Sequence, residues 1–138
     1  ITVESMYAKM TDPAQVVDYV SATAADTLAV CIGNIHGTYP FPPQLDFERL
    51  EQIRNLVDDI PLVLHGASGL DESLIRRSIE LGIRKFNVNT EIRKAYLSAM
   101  RTSSADKSND LVAIMQAGID AMIPVIVSKM VLFGSANR

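Results

Sequence analysis

The chain has 2 histidines, and each stands in the same kind of place. His36 lies in LAVCIGNIHGTYP (residues 28–40) and His65 in PLVLHGASGLDES (residues 61–73). In both, a short apolar run leads to an imidazole that glycine follows at once, Gly37 or Gly66. A third segment, IRKFNVNTE (83–91), ends its run on Asn87, Val88, Asn89 and Thr90. Neutral imidazole is a common metal ligand, and zinc held for catalysis takes three protein ligands and keeps one position open. Two such ligands are visible here. An acidic residue, or chain lying outside this sequence, is expected to supply the third. Glycine after each histidine lets a substrate or another backbone approach closely. The N–H groups where GASG and NVNT lead into helices suit an anion such as phosphate.

The same residues have plainer readings. A buried histidine bonded to a backbone carbonyl explains either one alone, though less readily both. Ser68 and Asp71 fit a capping box, and Thr90 an N-cap. Asn89 suits a turn. The run Tyr39-Pro40-Phe41-Pro42-Pro43 reads as a stiff loop, and Arg76, Arg77, Arg93 and Lys94 as solvated helix faces.

Short buried strands must carry these groups. TLAVCIG (27–33), PLVLHG (61–66) and IRKFNVN (83–89) read as such, brief and uniformly apolar. DPAQVVDYVSATAA (12–25) opens a helix with Asp12 as cap and Pro13 in its first turn, and sets Val16, Val17 and Val20 on one face. DFERLEQIRNLVDD (46–59) places Phe47, Leu50, Ile53, Leu56 and Val57 on a second helical stripe. DESLIRRSIELG (71–82) is a helix stopped by Gly82. TEIRKAYLSAMR (90–101) begins another, TSSADKSND (102–110) is a polar linker, and residues 110–134 form a last helix kinked at Pro124.

The order α-β-α-β-α-β-α-α implies parallel strands joined by helical crossovers. Three strands alone leave two edges to cover. The expected fold is therefore α/β: over residues 1–138, the C-terminal part, about half, of a (β/α)8 barrel with a C-terminal helical extension. An open three-stranded sandwich is the alternative. In such sheets the ligand sits at the carboxyl ends of the strands, where His36, His65 and Asn87 would meet.

Composition narrows the classes. At 138 residues there is room for one domain with a real core. Apolar content of 48% and charged content of 21% are those of a globular protein. A net charge of −3 without a basic run excludes a nucleic-acid surface. The lone Cys31 rules out a disulfide framework and fits a reducing compartment, the cytoplasm. The apolar stretch near the C-terminus is interrupted by Asp120, Pro124 and Lys129 and falls short of about 20 unbroken residues, so no membrane partner is expected. ITVESMYAKMTDP lacks the pattern of a signal peptide and does not begin with Met, so a piece of a longer chain is expected.

Taken in order, GNIHG, LVLHGASG and KFNVNTE resemble the class II, zinc-dependent ketose-bisphosphate aldolases, on the tagatose- and fructose-bisphosphate branch. The likeness runs on through DFERLEQIR, RRSIELGIRKFN, AGIDAM and GSANR, covering nearly the whole chain. It implies a cytoplasmic, homo-oligomeric β/α barrel that reversibly cleaves a phosphorylated ketose, its small-molecule sugar phosphate, to dihydroxyacetone phosphate and an aldehyde. It also implies zinc (Zn2+) on His36 and His65, two of the family's three histidine ligands. There zinc acts as a Lewis acid that polarises the ketone and stabilises the enediolate. A monovalent cation, Na+ or K+, often sits near these loops in relatives. Gly37, Gly66, Ala67, Ser68, Asn87, Val88, Asn89 and Thr90 match positions that hold dihydroxyacetone phosphate. Backbone N–H groups and the hydroxyls of Ser68 and Thr90 would meet its phosphate.

The family's remaining zinc histidine, and the proton-handling aspartate beside it, belong to the barrel's other half. The catalytic acid/base therefore falls on no residue here, neither Asp26 nor Glu91. Where relatives carry Asp-Pro-Arg before the last helix, this chain reads Asn109-Asp110-Leu111-Val112, without an arginine for a second phosphate. Two zinc ligands without that aspartate leave the 138 residues alone with little or no catalysis. The competing readings are a non-catalytic phosphate-binding or assembly module on the same scaffold, and a metal-free barrel enzyme for a sugar phosphate. Bound zinc separates them.

Overall fold

The computed structural model describes residues 3–37, 39–57, 59–108 and 110–136, without the side chains of Val3 and Met6. Asn109, where the chain departs from the family's Asp-Pro-Arg, and the last two residues of GSANR, part of the expected family likeness, lie outside the described residues. The elements are α1 (Val3–Tyr7), α2 (Pro13–Thr23), β1 (Leu28–Val30), α3 (Phe47–Leu56), β2 (Leu62–Leu64), α4 (Glu72–Glu80), β3 (Ile83–Phe86), α5 (Thr90–Ala105) and α6 (Leu111–Leu132). They form two compact units, Ile1–Asn87 and Val88–Arg138.

The first unit is built on a parallel sheet in the order β1-β2-β3. Every residue of β2 is buried, as expected for a strand covered on both faces. The edge strands depart from the uniformly apolar expectation. Ala29 of β1 is exposed, as are Arg84 and Lys85 of β3. The register shifts between Leu62 and Val63, which leaves Arg84 as an extra residue opposite β2 and brings Phe86 level with Leu64. As a result the N–H of Asn87 donates to the Leu64 carbonyl at 3.1 Å, and Asn87 emerges beside His65.

Side chains of Val30, Leu62, Leu64, Ile83, Leu50, Ile53 and Ile75 fill the core around this sheet. Two expected core positions turn outward. Val16 is buried but Val17 is exposed, and Leu50, Ile53 and Val57 are buried but Leu56 is exposed. Each helical residue turns about 100° from the last, so of two neighbours in sequence one can lie at the buried centre of the stripe and the other at its exposed rim. Asp12 accepts from the N–H of Ala14, and Asp46 from that of Arg49, which fixes where α2 and α3 begin. Gly82 at φ +103 ends α4, as the sequence suggests.

In the second unit, α5 runs on to Ala105 and so takes in residues 102–105 of the expected linker. The hydroxyls of Thr102 and Ser104 donate to the carbonyls of Ser98 and Arg101, which lets polar side chains stay in a helix. Pro124 sits inside α6, which continues through it to Leu132. Glu91 near the start of α5 pairs with Lys129 near the end of α6 at 2.7 Å. Tyr96 and Met100 lie against Gly118. These contacts make the two helices antiparallel. At 22 residues, α6 is long and apolar enough to cross a membrane by length and composition alone, although Asp120, Pro124 and Lys129 interrupt its apolar run.

Candidate functional site

His36, His65 and Asn87 each follow the carboxyl end of a strand: β1, β2 and β3 in turn. The parallel topology therefore brings three polar groups from three consecutive crossovers to one end of the sheet. The imidazoles of His36 and His65 have ring centres 5.4 Å apart, tilted at 60°. Two imidazoles sharing a tetrahedral zinc at about 2.0–2.1 Å have ring centres roughly 5 Å apart. The pair thus fits a common metal ion. Among the described residues no group of three His, Cys, Asp or Glu side chains completes a set of ligands.

The plainer reading of the histidines fails in detail. His36 is exposed, and His65 is only half-buried. The neighbour of the His65 ring is no backbone carbonyl but the Asn87 amide nitrogen, 2.8 Å from Nε2 and 3.1 Å from Nδ1. The Asn87 oxygen accepts from the Lys85 ammonium, so the amide N–H is left to donate to the ring. A neutral imidazole offers one lone pair. A metal bound at that nitrogen would take the place of the Asn87 contact.

Two further residues, not read from the sequence as site residues, join the loops that carry the histidines. The Tyr39 hydroxyl accepts from the N–H of Ile35 and donates to the carbonyl of Gly66, each at 3.2 Å. Burial pushes the Tyr39 phenol above its ordinary 10.0, opposed by the Ile35 hydrogen bond and helped by nearby Cys31. Asn34 accepts from the N–H of Ile32 at 2.8 Å and donates to the His65 carbonyl at 3.1 Å. Asn34 was visible within GNIHG, but nothing local marks a side chain that reaches 31 residues along the chain.

The glycines divide by role. Gly66, at φ +65, packs so closely that a Cβ there would lie 2.0 Å from the Ile35 carbonyl oxygen. It serves backbone against backbone. Gly37, at φ +98, has no described atom within 4 Å of such a Cβ and leaves space for a ligand.

Ala67 and Ser68 are buried behind the loop. The capping-box reading of Ser68 does not hold. Among the described residues its hydroxyl has no hydrogen-bond partner, and Asp71 occupies the N-cap of α4 without a side-chain bond. An orphaned buried hydroxyl beside an uncapped helix start is what a phosphate oxygen would satisfy. Val88, Asn89 and Thr90 belong to the second unit. Asn89, exposed, is the N-cap of α5 without a side-chain bond, and Thr90 is the first helical residue rather than the cap. A cavity of about 530 Å³ lies elsewhere, along α2 and β1 between Thr11, Tyr19 and Ala29, and touches none of the strand-end residues. The chemistry marks the site, not the cavity.

Parallel strands, helical crossovers and polar groups gathered at the strand ends define part of a β/α barrel. The chain belongs to the class-II fructose-bisphosphate aldolase family, whose profile matches residues 2–138. Among solved structures it is similar to the YdjI aldolase from Escherichia coli K12, at 39% identity and a TM-score of 0.83, over 93% of this chain and 47% of that one. It is also similar to a candidate fructose-1,6-bisphosphate aldolase from Coccidioides immitis, at 32% identity and a TM-score of 0.86, over 93% of this chain and 44% of that one. A fructose-bisphosphate aldolase from Campylobacter jejuni shares the fold at 20% identity and a TM-score of 0.74, over 93% and 46%. The chain spans less than half the length of each.

Proposed function

We propose that these residues form the C-terminal half of a class II aldolase barrel that cleaves a phosphorylated ketose, of the fructose- or tagatose-bisphosphate type, to dihydroxyacetone phosphate and an aldehyde. The observation that carries this reading is the strand-end pair His36 and His65, with ring centres 5.4 Å apart, in a chain of the aldolase family. His36 and His65 hold zinc, which supplies a Lewis acid to the substrate carbonyl when bound. Gly37 leaves room for the substrate. Gly66, Ala67 and Ser68 shape the phosphate cradle, and Ser68 offers its unpartnered hydroxyl. Asn87, Val88, Asn89 and Thr90 continue the substrate-binding segment, with a monovalent cation near these loops. The third ligand and the acid/base group come from the remainder of the barrel, so the 138 residues by themselves turn over little or no substrate.

The complete protein is on this reading a cytoplasmic homo-oligomer. The test is release of dihydroxyacetone phosphate from fructose- and tagatose-bisphosphate by the longest natural form, followed through a coupled reduction. Cleavage of either sugar, abolished by a chelator and restored by zinc, is the expected result. No cleavage, with phosphate binding intact, would favour the non-catalytic module.

A further inference from the structure

We infer that Tyr39 and Asn34 are positioning residues that hold His36 and His65 at the separation one metal ion requires; this rests on the aldolase reading above. His36 is exposed and its loop includes Gly37 at φ +98, so neither burial nor a regular element fixes the imidazole. What fixes it lies one or two residues away. The Tyr39 hydroxyl bridges the N–H of Ile35, just before His36, to the carbonyl of Gly66, just after His65. Asn34, two residues before His36, donates to the carbonyl of His65 itself. Between these ties the two backbones touch, and no side chain fits at Gly66 without striking the Ile35 carbonyl. Two side-chain ties and one backbone contact thus set the distance between loops that share no strand. Groups that orient metal ligands without touching the metal typically account for 10–100-fold in affinity.

The experiment compares Tyr39→Phe and Asn34→Asp with the unaltered longest natural form. Tyr39→Phe keeps the ring and removes the hydroxyl. Asn34→Asp keeps the acceptor for Ile32 and removes the donor to His65. Cobalt(II) affinity is measured by competition with a chromophoric chelator, and the visible spectrum of the bound ion is recorded alongside. Metal-free melting is followed by circular dichroism. Each variant is expected to bind cobalt about 10-fold or more weakly, with an altered spectrum, at temperatures where it is fully folded. Unaltered affinity and spectrum in both variants would overturn the inference. So would a loss that disappears once the variants are cooled well below their melting temperature, because the two residues would then act on stability alone. If one variant does not fold, the other decides by the same readings. An unaltered protein that binds no cobalt defeats the aldolase reading first, and this inference with it.

Discussion

Gly66→Ala should cost far more than Gly37→Ala, although both glycines follow a histidine and both have positive φ. The backbone contribution is similar: an L-residue at positive φ costs about 1–2 kcal/mol at either position. The surroundings differ. A methyl group at Gly66 would lie 2.0 Å from the Ile35 oxygen and 2.7 Å from its carbonyl carbon, whereas at Gly37 it meets no described atom within 4 Å. Backbone cannot swing aside like a side chain, and forcing atoms into a packed contact costs about 1–3 kcal/mol more. Gly37→Ala should therefore lose about 1–2 kcal/mol and Gly66→Ala about 2–5 kcal/mol, out of a typical stability of about 5–15 kcal/mol. Urea denaturation followed by circular dichroism reads the difference directly. Equal losses in the two variants would refute the backbone contact between the histidine loops.

Other consequences are as direct. Ser68→Ala removes a buried hydroxyl without a partner, and should raise ligand-free stability by about 1 kcal/mol while weakening phosphate binding in the longest natural form. Urea denaturation and phosphate calorimetry check the two halves, and a stability loss would contradict the first. Gly118→Ala should gain about 1 kcal/mol in helix propensity but lose more against Tyr96, whose ring would lie 2.6 Å from the new methyl. Thermal melts should show net destabilisation, reversed in a Tyr96→Leu background. The Tyr39 phenol is raised above its ordinary 10.0 by burial, so its stabilising share is present below about pH 10 and is lost as pH rises through the folded value. Wild type should therefore lose stability faster than Tyr39→Phe on the alkaline side, by urea denaturation at a series of pH values. Parallel alkaline slopes would contradict it.

Strand identity was legible because LAV and LVL are short apolar runs and IRKF a short run bounded by Ile83 and Phe86, each between helical stripes, and Gly82 ends a helix where the sequence places it. The helix α1 was not, since Val3–Tyr7 is only five residues and too short to show a period. The stretch 102–105 looked like linker because Thr and Ser compete with the helix in isolation, yet their hydroxyls fold back onto their own carbonyls. At the candidate site, residue type and strand-end position were enough to single out His36, His65 and Asn87, which lie together at one end of the sheet. The ties from Tyr39 and Asn34 were not, because a contact between loops 27 or 31 residues apart leaves no trace in local pattern. The misreading of Ser68 has a similar cause. The spacing of a capping box says nothing about whether the hydroxyl turns toward the helix or away from it.

The central claim is that His36 and His65 share one metal ion. The most direct measurement is zinc content by elemental analysis of the longest natural form beside its His65→Ala variant. The account predicts about one zinc per chain, lost in the variant. No zinc in the unaltered protein, or zinc kept in full after the substitution, would contradict it.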